Sequence, residues 1–158
     1  MFEKVLVCLD GSELAEQIMP YATEQALRFN SRLTLLQVMT MPTSVYMGAE
    51  GMAAGTEYIV EEEVRRQQPD IEAYLDSIAR PLQESGIALE YAILPPSPVG
   101  DAIVNYARDN AIGLICIATH GRGGLGRVVF GSVAGYVLSK SALPVLLIRS
   151  KRNTVERK

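Results

Sequence analysis

Histidine and cysteine are scarce in this 158-residue chain, which has one His and two Cys and no Trp at all. Two cysteines make no disulfide framework, so stability must come from a packed core, and the expected compartment is the reducing cytoplasm. The lone His120 has no second His and no Cys at metal-ligand spacing, and no evident Ser or carboxylate partner for a triad. That argues against a metal centre and against a nucleophilic hydrolase. Long apolar runs are missing too. The longest, residues 5–9, 114–118 and 145–148, have strand length, far short of the roughly 20 residues that cross a bilayer. Nor is there an excess of positive charge: 15 Lys and Arg stand against 18 Asp and Glu, a net charge of −3. Without a basic footprint there is no support for sequence-independent nucleic-acid binding. Neither a membrane nor a nucleic acid is an expected partner.

What the chain does have is core-forming material: 48% of its residues are hydrophobic. A chain of this length buries about 70% of the surface its unfolded form exposes, enough for one domain. We expect that domain over residues 1–150, followed by a frayed, solvated basic tail over 151–158. Residues 5–9 (VLVCL) form a continuous apolar run, the pattern of a strand covered on both faces. Further strand patterns occur at 33–39, 87–94, 114–118 and 145–148. Helical spacing lies between them. Leu14, Ile18, Ala22, Ala26 and Phe29 recur every three to four residues, with Ser12 as N-cap. Ile71, Leu75, Ile78 and Leu82 mark a second helix, Ser97-Pro98 caps a third, and residues 132–142 form the last. Pro69 is expected to interrupt the helical stretch that begins near Glu57. Cys8 and Cys116 read as core residues. Strands alternating with helices predict an α/β fold with a five-stranded parallel sheet and helices on both faces. Residues 40–56, with Met41, Met47, Met52 and three glycines, are longer than a usual strand–helix connection and read as a lid or a disordered insertion.

Six of the 13 glycines crowd between Gly121 and Gly135. This segment follows a buried strand and runs into a helix. Such a turn aims unpaired backbone N–H groups and the positive end of the helix into one crevice, which attracts phosphate. Arg122 and Arg127 add charge, and Ser132 can cap the helix and donate its hydroxyl to a ligand oxygen. Two familiar motifs are imitated here without their chemistry. Residues 121–126 spell G-x-G-x-x-G, but the acidic residue needed about 20 positions later for a ribose is absent. Residues 126–132 resemble a P-loop whose lysine is missing, so the charge that would reach the terminal phosphates is lacking. Asp10, at the end of the first strand, has two readings: a ligand-facing carboxylate or the former of the Asp10-Gly11-Ser12 turn. With strand order 3-2-1-4-5, Asp10 and the glycine segment end side by side at the switch point; with order 2-1-3-4-5, they do not. The sequence alone leaves that order open.

Ala118-Thr119-His120-Gly121, nine residues, then Gly131-Ser132-Val133, followed by Pro144 and the run 145–148, resembles the universal stress protein family in its nucleotide-binding branch. The likeness covers nearly the whole chain, with residues 5–12 similar to the family's opening strand and Asp loop. The family motif is Gly, two residues, Gly, nine residues, Gly, then Ser or Thr; its first glycine is Ala118 here. The resemblance implies a single Rossmann-like domain with sheet order 3-2-1-4-5 that binds ATP or another adenosine nucleotide, with Mg²⁺ admissible beside it. It implies phosphates on Gly121, Gly131, Ser132 and the backbone of Val133, with His120 and Arg122 nearby. It further implies Asp10 at the adenine or ribose, Val38 at the base and Ala118 at the ribose. A homodimer built on the last strand, from Val145 to Ile148, is implied as well, and an apolar edge strand invites such pairing. The expected function is a nucleotide-dependent stress-response switch acting on an unidentified protein partner, with at most slow ATP hydrolysis or autophosphorylation. The rival readings are a dimeric interaction module without nucleotide, favoured by Ala118, and a true hydrolase or phosphotransferase.

Overall fold

The computed structural model describes residues 2–41, 56–119 and 131–149. The order of elements is β1 (Lys4–Leu9), α1 (Glu13–Glu16), α2 (Met19–Phe29), β2 (Arg32–Val38), α3 (Thr56–Glu84), β3 (Leu89–Leu94), α4 (Val99–Asp109), β4 (Leu114–Thr119), α5 (Ser132–Lys140) and β5 (Val145–Arg149). All five strands are parallel, in the order β3-β2-β1-β4-β5. Of the two strand orders that the sequence left open, this is the one the family resemblance implied.

Alternation along the strands builds two cores. Val5, Val7 and Leu9 of β1 turn to one face with Leu33 and Leu35 of β2, and Ile18, Ala22, Ile71 and Leu75 from α2, its N-terminal flank and α3 cover them. Leu6 and Cys8 turn to the other face with Leu36, Ile115 and Ile117, beneath Ile103 and Ala107 of α4 and Ala134 and Val137 of α5. Being apolar on both sides is what makes the central strands continuous rather than alternating in sequence. Cys8 and Cys116 lie on neighbouring strands but belong to opposite faces. Burial raises both thiols, Cys116 to about 12, so both stay protonated in neutral solution. None of the described helices is long and apolar enough to cross a membrane.

Local departures from the sequence expectations have clear causes. The first helical stretch is divided into α1 and α2, because Pro20 occupies the first turn of α2 and has no N–H to continue the ladder from α1. Phe29 lies outside the core, 57% exposed, edge-on to Phe2. By contrast, α3 runs unbroken through Pro69 and Pro81. Each proline removes only one ladder bond and has a φ suited to the helix; Pro69 sits on an exposed stretch where water can take up the freed carbonyl. The Ser97 hydroxyl donates back to the Pro95 carbonyl and does not cap α4, whose N-cap is Pro98. The connection over residues 42–55 and the basic tail lie outside the described residues.

After α4 the chain turns at Ala111, whose φ of +54° is left-handed. A Cβ makes that conformation costly, by roughly 1–2 kcal/mol, whereas glycine adopts it freely at some cost in unfolded-state entropy. Ala111→Gly is therefore expected to raise stability by about 0.5–1 kcal/mol, read as a higher urea midpoint with an unchanged slope.

Candidate functional site

The sheet order reverses between β1 and β4: the chain builds outward through β2 and β3 on one side and through β5 on the other. Their connections part to opposite faces, leaving a crevice at the carboxyl ends of the strands. It holds about 350 Å³, at the lower end of the range for small-molecule sites. Cys8, Leu36 and Ile117 form its apolar floor, Val99 and Ile103 of α4 one wall, and Asp10, Val38, Thr40, Thr119 and the start of α5 its rim.

At the end of β1 the chain reverses through Gly11, whose φ is +80°. Asp10 Oδ1 accepts from the Ser12 N–H at 3.0 Å and from the Ser12 hydroxyl at 2.6 Å. The same hydroxyl oxygen accepts from the Ala15 N–H at 3.1 Å and caps α1, as its position in sequence predicted. Asp10 thus forms the turn while remaining exposed at the crevice, so its two readings are compatible. Tyr74 of α3 buries its hydroxyl without a hydrogen-bond partner among the described residues. Burial first, and the charge of Glu16 second, push that phenol well above its ordinary range.

Across the crevice, β4 ends at Thr119 and α5 begins after Gly131. The first turn-closing bond runs from the Gly135 N–H to the Gly131 carbonyl at 2.8 Å. Ser132, Val133 and Ala134 therefore present N–H groups with no partner inside the helix, and no side chain among the described residues caps them. All three residues border the crevice. Their orphan donors, together with the positive end of the helix dipole, make this rim a place where an anion is stabilised. Ser132 is the first helical residue and not the cap expected of it; Gly131 fills that position, leaving the Ser132 hydroxyl uncommitted among the described residues. Gly131 also borders the crevice, but its own N–H is spent on Thr119 Oγ1 at 3.0 Å.

Six of the residues singled out in sequence thus meet around one crevice: Asp10, Val38, Ala118, Gly131, Ser132 and Val133. His120, Gly121 and Arg122 lie outside the described residues. Ala118, standing where the motif has glycine, lies within β4 and is not among the residues with positive φ, so its backbone conformation does not require glycine. Thr119, Thr40, Val99 and Ile103 escaped the sequence reading. A threonine closing an apolar strand was a visible signal; nothing local marks Val99 or Ile103, which α4 carries to the crevice only through tertiary packing. Among the described residues no three His, Cys, Asp or Glu side chains gather as metal ligands.

The model of the universal stress protein family matches residues 1–149. The chain belongs to that family. It is 31% identical over 152 residues to the universal stress protein Sll1388 of Synechocystis, covering 94% of this chain and 98% of that one. The fold recurs in solved family structures. MJ0577 of Methanocaldococcus jannaschii superposes with a TM-score of 0.75 at 24% identity, over 96% of this chain and 99% of the other. An Archaeoglobus fulgidus universal stress protein solved with dAMP gives 0.58 at 20% identity, over 94% and 99%. Another family member, solved with cAMP, gives 0.64 at 19%, over 92% and 95%. At these identities the structural likeness speaks for the fold alone.

Ser12 links the crevice to stability, since its hydroxyl caps α1 and holds Asp10. Ser12→Ala is expected to cost about 1 kcal/mol, seen as a lower thermal midpoint.

Proposed function

We propose that this universal stress protein binds an adenosine nucleotide, ATP by preference, in the crevice between β1 and β4, and acts as a nucleotide-dependent stress-response switch. The observation that carries the reading is the uncapped first turn of α5, whose Ser132, Val133 and Ala134 N–H groups edge the crevice that Asp10 borders from β1. An anion suits the one side, and hydroxyl or amino donors of a nucleoside suit the carboxylate on the other. Relatives solved with cAMP and dAMP support the adenosine class. In this reading phosphates are held by Ser132 and Val133, with His120, Gly121 and Arg122 contributing from the glycine segment. Gly131 contributes by its lack of a side chain, Val38 packs against the base and Ala118 lies by the ribose. Mg²⁺, where it accompanies the nucleotide, would be carried mainly by the phosphates themselves, since among the described lining residues only Asp10 brings a carboxylate.

Rapid turnover is not part of the proposal. The P-loop lysine is missing, and among the described lining residues no histidine or lysine stands ready to activate water or bear on the terminal phosphates, so the sequence and the described site supply little of the charge stabilisation that phosphoryl transfer needs. Isothermal calorimetry on nucleotide-free protein tests the reading: heat from ATP, AMP or cyclic AMP is expected, and silence from all three at millimolar concentration overturns it in favour of a nucleotide-free interaction module. A Cβ on Gly131 would lie 3.1 Å from Thr119 Oγ1, so the larger Gly131→Val is expected to weaken ATP binding at least tenfold while far-UV dichroism stays unchanged.

We also propose a homodimer through β5. This apolar edge strand pairs only with β4 among the described strands, and Val145 to Ile148 are half-buried, the kind of edge that a second copy covers. Leu147→Lys is expected to shift the mass found by light scattering from dimer to monomer. An unchanged dimer would refute pairing at that edge.

A further inference from the structure

Thr119 is 4% exposed, closes β4, and lines the crevice from one of the two positions that the Gly, two residues, Gly motif leaves unspecified. Its Oγ1 accepts the Gly131 N–H at 3.0 Å, a bond that spans twelve positions of sequence and joins the end of β4 to the N-cap of α5. We infer that Thr119 is a positioning residue for the nucleotide site: its hydroxyl latches the N-terminus of α5 to β4, and so aims the three orphan N–H groups of Ser132, Val133 and Ala134 at the crevice.

Three observations converge on the latch. First, α5 has no side-chain cap, so nothing else among the described residues holds its first turn by hydrogen bonding to a side chain. Second, the approach is tight enough to restrict residue choice. A Cβ at Gly131 would stand 3.1 Å from Thr119 Oγ1, closer than most real Cβ contacts, so the latch favours glycine at 131 before any ligand is considered. Third, the latch decides which amides are free. By taking the Gly131 N–H, Thr119 leaves donors only from Ser132 onward, which moves the centre of the anion site one residue into the helix. The fixed spacing matters because orphan donors stabilise an anion only when their directions are set before it arrives.

The inference rests on the nucleotide reading above, and two measurements on the full-length protein keep the two apart. Thr119→Val preserves volume and removes the acceptor, whereas Thr119→Ser keeps it. By NMR hydrogen exchange without nucleotide, the Gly131 amide should be protected in the native protein and in Thr119→Ser, and should exchange at least tenfold faster in Thr119→Val. By calorimetry, Thr119→Val should bind ATP at least about fivefold more weakly, because an unlatched α5 must be ordered before its donors point at the anion. Thr119→Ser should remain within about threefold of the native protein. Equal affinity in Thr119→Val, or a Gly131 amide equally exposed in all three proteins, overturns the latch. Should Thr119→Val fail to fold, Gly131→Ala presses on the same hydroxyl from the other side. A several-fold loss of ATP affinity is expected there, and none would refute the inference. If the native protein binds no nucleotide, the functional reading falls, and with it the positioning role, whereas protection of Gly131 still reports the bond itself.

Discussion

Val5, Leu6 and Val7 of β1 lie in parallel register with Leu114, Ile115 and Cys116 of β4, and everything at the crevice depends on that pairing. It sets two chain ends side by side that are more than a hundred residues apart in sequence: the Asp10 turn after β1 and the start of α5 after β4. Because β2 and β5 pair on the outer sides of these two strands, the connections diverge and the gap between them stays open. The same strands are apolar and covered on both faces, so slipping the register by one residue would swap their side chains between the two cores and spoil the packing of both. The position of the site is therefore held by the same burial that stabilises the sheet.

On this scaffold, small polar groups serve structure and site together. One carboxylate oxygen of Asp10 bonds both the backbone and the hydroxyl of Ser12, and that hydroxyl caps α1. The result is a carboxylate whose position is fixed before any ligand arrives. Opposite it, α5 starts on glycine without a side-chain cap among the described residues, and the residues that carry its orphan donors border the crevice. A capping serine or aspartate at position 131 would add only about a few tenths of a kcal/mol over glycine, would crowd Thr119 Oγ1, and would compete for the donors that an anion needs. The helix end is thus less satisfied internally than it could be, and the deficit lies where ligand chemistry can make it good.

The sheet and much of its rim were legible in the sequence because they are written in local patterns. Apolar runs located the strands, three- to four-residue spacing located most helices, and Ser12 announced its cap through its place between a strand and a helical repeat. Proline was the weaker guide. Pro20 divides the first helical stretch, although the apolar spacing continues past it, whereas Pro69 leaves α3 intact. The same ring ends one helix and is accommodated in another, depending on whether the freed carbonyl has another partner or water, and sequence spacing carries no record of that.

By itself, the sequence determined the α/β class, the family likeness and the identity of most rim residues, because hydrophobic periodicity and glycine clustering act over a few neighbours along the chain. Only the tertiary structure decided the strand order, the meeting of Asp10 with α5, the contribution of Val99 and Ile103 to the wall, and the commitment of the Gly131 amide to Thr119. These are non-local facts: each requires elements distant in sequence to pack at a fixed separation, and that separation comes from the whole core.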